Sequence, residues 1–303
     1  MTTPTSTERP ISPPAQQTTP LLAWILLFIL ALVWGSSFIL IKRSLASFSP
    51  TQVATGRITF AFLFFLPYVM LKIRQFPRQQ SWVLLASGVL GYLIPAFMFA
   101  IAGAHLSSSL AGALNSLSPL FTLVLGAIFF GNSLQTRQVI GVLLGFAGSV
   151  FLVFLSATGS FSVNGYALLL VVATLCYGLN INLVSRYLRH LPALTSTSWT
   201  FALTGPLALL GLLTTDFPVR AVNPASSSSF VMLIILGVLG SGLMTVLFNR
   251  IIQLSSAIFA SSVTYLIPIV ALGWGLLDGE PLYWPQIMGM AICLFGVYLI
   301  NRK

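Results

Sequence analysis

Apolar residues in this chain come in long unbroken runs, and polar ones are confined to short gaps between them. From Leu21 onward ten such runs follow, near 21–41, 51–71, 82–103, 107–130, 138–155, 165–185, 193–213, 230–252, 257–277 and 285–300. Each is close to the ~20 residues that carry a helix across ~30 Å of hydrocarbon at about 1.5 Å per residue. The short alternating runs of a membrane β-barrel are missing. The pattern predicts an all-α polytopic membrane protein of ten transmembrane helices. The longest gap, 214–229, leaves no room for a soluble domain. Residues 1–20, rich in Thr, Ser, Pro and Gln, cannot bury enough apolar surface to order themselves and read as a flexible tail. They lack the basic start of a secretory signal, so the run from Leu21 reads as a retained first helix.

Composition agrees. Hydrophobic residues make up 57% of the 303 and charged ones 6%, against about 45–50% and about 25% in soluble domains. The net charge of +10 does not imply nucleic-acid binding, because the cations are scattered over the gaps and form no basic patch. They do set an orientation. With the N-terminus in the cytoplasm, the inner side holds Arg9, Lys72, Arg74, Arg78, Arg137, Arg186, Arg189, Arg250, Arg302 and Lys303, and the outer side Lys42, Arg43 and Arg220. That bias predicts a plasma or inner membrane protein with both termini cytoplasmic. Asp216, Asp278 and Glu280 then fall outside. Cys176 and Cys293 lie within apolar runs and suggest neither a disulfide framework nor a metal site.

The halves resemble each other. GVLG at 88–91 recurs at 237–240, an offset of 149, and at that offset Phe99 meets Phe248, Asn115 meets Thr264 and Pro119 meets Pro268. At 148, Gly131 meets Gly279 and Gly141 meets Gly289; at 143, Gly35 meets Gly178. Collinear matches of this kind point to duplication. Five helices per half is an odd number, so the second half enters the membrane inverted, with a substrate site expected near the midplane between the repeats.

The stretch HLSSSLAGALNSLSPLFTLVLGAIFFGNSLQTRQVIGVLLGFAGSVFLV (105–153) resembles the fourth and fifth helices of EamA-type transporters of the drug/metabolite transporter superfamily. The Trp34-Gly35 pair and the stretch 254–300 fit that family as well. The resemblance covers essentially 21–300. It implies ten helices in two inverted repeats, 21–155 and 165–300, cytoplasmic termini, and export or exchange of small metabolites such as amino acids. The family's Gly-Glu pair is matched by Gly279-Glu280, but the first repeat has Gly131-Asn132.

Enzyme constellations are missing. The two His residues are far apart, no acid lies inside a predicted helix, and no His/Cys/Asp cluster has metal-ligand spacing. Neither catalysis nor a cofactor is expected, and the partners are a small-molecule substrate and the bilayer. Nothing sets the oligomeric state, and a monomer is compatible. A non-transporting receptor or scaffold, or a pore-like channel, remains open as an alternative to a carrier.

Candidate chemistry therefore rests on polar residues within apolar helices, where unpaired polar groups are costly. Ser108, Ala111, Asn115, Ser118 and Thr122 share one face of the fourth helix, with Pro119 able to kink it. Ser261, Thr264, Tyr265 and Pro268 repeat the pattern in the ninth. Trp34 with Ser37, and Tyr177 with Asn180, have i,i+3 spacing and correspond at offset 143. The candidate cavity residues are Trp34, Ser37, Asn115, Ser118, Tyr177, Asn180, Thr264 and Tyr265. For the Ser and Thr residues, helix packing is an equally available role. Arg57 either snorkels to the interface or holds a substrate carboxylate. Asn249 and His105 are weaker candidates, and Tyr92 looks like ordinary packing. With a cavity of neutral groups, facilitated diffusion or exchange is expected, since no buried charge needs neutralising during the cycle.

Overall fold

The computed structural model describes residues 20–106, 108–154, 165–277 and 284–302. The predicted tail, Ser107 and the Asp278-Gly279-Glu280 segment lie outside the described residues. Ten apolar helical segments run through the rest. They are α1 (Leu21–Ser44), α2 (Pro50–Leu71), α3 (Ser81–Gly88 and Ile94–Gly103), α4 (Ser108–Asn115 and Ser118–Phe130) and α5 (Thr136–Phe154). The second half holds α6 (Gly165–Leu183), α7 (Ala193–Leu213), α8 (Ser227–Ile235 and Met244–Leu254), α9 (Ala257–Ser261 and Val263–Leu277) and α10 (Trp284–Asn301). No strand occurs among the described residues. The chain is thus an all-helical, multi-pass membrane protein. Its helices turn leucine, isoleucine and phenylalanine outward, as at Ile25, Phe28, Leu32, Leu210 and Phe295. Such apolar surface suits lipid and would be a liability in water.

Local chemistry sets the helix ends. Ser49 caps α2: its hydroxyl accepts from the Gln52 amide, the Gln52 side chain accepts from the Ser49 N–H, and Pro50 occupies the first turn. Gly131 ends α4 at φ 68°, the left-handed conformation that suits glycine, and the Asn132 N–H closes the turn on the Gly126 carbonyl at 3.0 Å. The gap after α7 is less open than expected. It holds a short helix, Phe217–Ala221, and α8 starts at Ser227, three residues before the predicted 230. Asp216 anchors this end, accepting from Arg220 Nε and from Gln52 Nε2, each at 2.6 Å.

Five segments depart from regular α geometry, one of them the π-turn Val184–Leu188 that ends α6. The two GVLG copies sit at wide π-turns, Val89–Leu93 in α3 and Leu236–Leu243 in α8. In α3 the cause is visible: Pro95 has no N–H for the Gly91 carbonyl four residues earlier. In α4 the helix tightens at Ser116–Leu117, where Leu117 N–H bonds the Leu114 carbonyl at 3.1 Å, just ahead of Pro119.

In α9 the interruption falls at Ser262 and not at Pro268, which stays inside the helix. The sequence predicts a kink at Pro268, whereas the helix is interrupted at Ser262. The Ser261, Ser262 and Thr264 hydroxyls each donate to a carbonyl three residues back, at 2.9, 2.6 and 3.0 Å, and so compete with the helix ladder. The carbonyl that Pro268 strips, Thr264 O, accepts instead from the Ser116 hydroxyl of α4 at 3.1 Å. Asn115 O, stripped by Pro119, accepts from Ser118 Oγ at 2.8 Å.

Glycines bring the helices together. A Cβ on Gly141 would lie 2.8 Å from Gly296 O, and one on Gly148 would lie 2.9 Å from Gly289 O, so α5 and α10 meet backbone to backbone. Gly35 of α1 rests on Val270 of α9, and Gly178 of α6 rests on Phe121 of α4. Gly35 and Gly178 correspond at offset 143, and Phe121 and Val270 at offset 149. The same contact is therefore made twice.

Candidate functional site

Between the two halves lies a cavity holding about 950 Å³ of space, its open part included. Its wall is built from equivalent positions. At offset 143, α1 and α6 supply Trp34 with Tyr177, Ser37 with Asn180 and Phe38 with Ile181. At offset 149, α3 and α8 supply Gly91 with Gly240, Tyr92 with Ser241, Ala96 with Thr245 and Phe99 with Phe248. At that same offset, α4 and α9 supply Asn115 with Thr264 and Ser118 with Ile267. Only Ile41, Arg57, Ile58 and Ser261 have no such counterpart in the wall.

The aromatic contacts repeat in the same way. Trp34 packs on Phe248 with ring centres 5.4 Å apart, and Tyr177 stacks on Phe99 at 5.9 Å. The Trp34 Nε1–H donates to Gly240 O at 2.8 Å, a carbonyl in the π-turn of α8. The ring therefore offers the cavity a face, with its one polar atom already satisfied.

The Ser and Thr hydroxyls of the wall are left as acceptors. Ser37, Ser118, Thr245, Ser261 and Thr264 each give their only hydroxyl proton to a backbone carbonyl of their own helix. What remains on each oxygen is lone pairs. Asn180 is 5% exposed, and its Oδ1 accepts no hydrogen bond. Against this stands one cation. Arg57, in the second turn of α2, donates from Nε to Ser241 Oγ at 2.9 Å. Among the described residues the only acid is Asp216, which is engaged by Arg220 and Gln52 at a helix end.

Residues 21–154 and 164–302 each match the family model described as the EamA-like transporter family. The chain belongs to that family. It is 27% identical over 288 residues to an uncharacterized transporter of Archaeoglobus fulgidus, covering 92% of this chain and 99% of that one. It is 25% identical to the uncharacterized inner membrane transporter YedA of Escherichia coli K12, over 91% and 89% of the two chains. It is 24% identical to the uncharacterized transporter YvbV of Bacillus subtilis 168, over 92% and 91%. A protein of known crystal structure shares the fold, with a TM-score of 0.71, at 17% identity over 91% of this chain and 95% of that one. This EamA-like protein is thus a membrane transporter of a small molecule, and its named relatives are transporters, not enzymes.

Seven of the eight candidate cavity residues of this EamA-like transporter meet at the cavity: Trp34, Ser37, Asn115, Ser118, Tyr177, Asn180 and Thr264. Tyr265 does not, which corrects its assignment. It is fully buried, its hydroxyl donates to Val142 O of α5 at 2.9 Å, and its ring covers Gly145. One residue along a helix turns the side chain by about 100°, so with Thr264 facing the cavity Tyr265 faces α5. Arg57 is held in the cavity wall by Ser241, not extended to the interface. Of the two places the sequence leaves open for Arg57, this is the inner one, and it adds a cation to an otherwise neutral wall.

Asn249 lies elsewhere, donating to Thr197 Oγ1 at 3.0 Å, and His105 is exposed and stacked on Tyr166. The side chain of Ser108 lies outside the described residues. Tyr92, Ser241, Thr245, Phe99 and Phe248 line the cavity but were not candidates. The repeat held the signal: Tyr92 and Ser241 each directly follow a GVLG copy.

Proposed function

We propose that this protein carries a small organic metabolite, an amino acid or related compound, by alternating access between two inverted repeats, exporting or exchanging it with both termini in the cytoplasm. The observation that carries the reading is the cavity wall, to which the halves contribute matched residues. A site shared by two pseudo-equivalent halves can be opened to one side or the other by rocking one half against its partner. The substrate would lie between the Trp34–Phe248 and Tyr177–Phe99 pairs, with Asn115, Ser118, Ser37, Asn180 and Thr264 as its hydrogen-bonding neighbours. The interruptions at Ser116–Leu117 and at Ser262 put flexible points in the two helices that face each other there.

Counterflow in proteoliposomes tests it. Vesicles preloaded with a panel of amino acids should take up labelled substrate saturably, and faster than empty vesicles. Flux that never saturates and ignores internal substrate would indicate a channel. Tags on either terminus should be reached only from the cytoplasm, and a cysteine placed within 214–229 only from outside. The reverse pattern would invert the proposed orientation.

A further inference from the structure

Arg57 breaks the symmetry of the site. Nearly every other residue of the wall has a counterpart from the opposite half, but α7, the counterpart of α2, contributes nothing to it. Ser241 Oγ receives the Arg57 Nε–H at 2.9 Å and itself donates to Leu236 O, which orients the planar guanidinium from one edge. A Cβ on Gly237 would lie 2.8 Å from Arg57 O, so the backbone carrying this side chain is pressed directly onto the α8 π-turn. The residue is positioned from both ends, and no acid among the described residues meets it.

The other polar groups of the wall, among the described residues, are neutral. The Ser and Thr hydroxyls of the wall have spent their protons on carbonyls, and Asn180 Oδ1 is an unpartnered acceptor that is 95% buried. Where water is scarce an uncompensated guanidinium strongly repels a second cation and attracts an anion. Its fork of N–H donors matches a carboxylate in shape as well as charge.

We infer that the site recognises its substrate by a carboxylate bound to Arg57. A hydrogen-bond donor on the same molecule meets Asn180 Oδ1, and a flat apolar body lies between the two aromatic pairs. Compounds of the same shape that carry only a positive charge are excluded. This rests on the transport reading above and narrows it, since it names the group that must be present whatever the rest of the substrate is.

The experiment is a binding series on the purified full chain, read as protection from thermal unfolding. Ligand that binds only the native state raises the melting temperature, and by more the further its concentration exceeds Kd. Four probes share one ring and chain length: 3-phenylpropionate, phenylalanine, 3-phenylpropionamide and 3-phenylpropylamine. Both carboxylates should protect at concentrations at least about tenfold below the amide, and the amine should not protect. Arg57→Gln should bring 3-phenylpropionate to the level of the amide, and Arg57→Lys should recover part of the difference. Equal protection by acid, amide and amine overturns the inference, as does a carboxylate preference that survives Arg57→Gln or protection by none of the probes. The wild-type series decides even if the variants misfold. If a protecting carboxylate is bound but not moved in counterflow, the transport reading fails and carboxylate recognition stands. If compounds are moved without carboxylate preference, the reverse holds.

Discussion

Gly91 and Asn180 touch so closely that a Cβ on the glycine would overlap the asparagine Nδ2. Across the site Gly240 stands in the same relation to Ser37, where a Cβ would lie 3.2 Å from Oγ. Gly91 and Gly240 correspond at offset 149, and Asn180 and Ser37 at offset 143. Each half therefore presses a π-turn glycine against a polar residue of the other.

Substituting these glycines should act on the site more than on the fold. Gly91→Ala must displace Asn180, so transport should fall by about tenfold, equivalent to about 1.4 kcal/mol of lost interaction. Gly240→Ala needs a shift of only a few tenths of an ångström in Ser37 and should cost less. Initial rates in proteoliposomes, with melting temperatures beside them, check the order. The opposite order would remove Asn180 from the site.

Asn115→Ala should reduce transport about tenfold or more while the protein still folds. Thr264→Ala should do less, because the Thr264 hydroxyl is already committed to Ser261 O. Trp34→Ala removes both an aromatic face and the donor to Gly240 O, so it should impair transport as well. Normal transport by both the Asn115 and Trp34 variants would take those residues out of the substrate's path.

Tyr265→Ala is the contrasting case. It opens a void over Gly145 and frees Val142 O, so it should destabilise by about 3–5 kcal/mol, as large-to-small changes at buried aromatics do. Any transport loss should track the amount of folded protein. A variant that folds at wild-type stability yet fails to transport would return Tyr265 to the site.

Asp216 gives a pH-dependent outcome. The hydrogen bond from Arg220 holds its carboxyl below the ordinary carboxylate value, with Gln52 adding to the effect. A depressed folded pKa stabilises above the unfolded value of about 3.9 and is lost as pH falls through the folded one. Wild type should therefore lose melting temperature on acidification below about pH 4, and Asp216→Asn should lose less over the same window. The carboxylate is exposed, so the difference should be small. An identical acid profile for the two proteins would show that the Arg220 and Gln52 bonds contribute nothing.

The helices were legible because lipid imposes one simple demand, an apolar run of sufficient length, and each run met it. The cavity was legible where polarity was out of place, as at Asn115 and Asn180. Tyr265 went astray because it follows Thr264 directly and is polar by type, while only the rotation of the helix decides which neighbour it meets. Arg57 could not be placed from sequence, since its stem is long enough to reach either the interface or the interior, and Ser241 of a distant helix made the choice. Pro268 misled for a related reason. The carbonyl it strips accepts from Ser116 of another helix, and the interruption falls instead at Ser262, among three hydroxyls that compete with the ladder.

That Ser116 donor makes the two proline positions mechanically unequal. Asn115 O is served by Ser118 of its own helix, so α4 can flex near Pro119 and keep its replacement bond. Thr264 O is served from across the interface by Ser116, whose single proton also has Gly112 O of its own helix within 3.2 Å, so bending α9 at Pro268 trades a bond between helices for one within α4. A pair of helices that sequence alone would treat as twins is thus a hinge and a tethered lever. Motion begun in α4 meets only its own stiffness, whereas motion begun in α9 must first undo a latch.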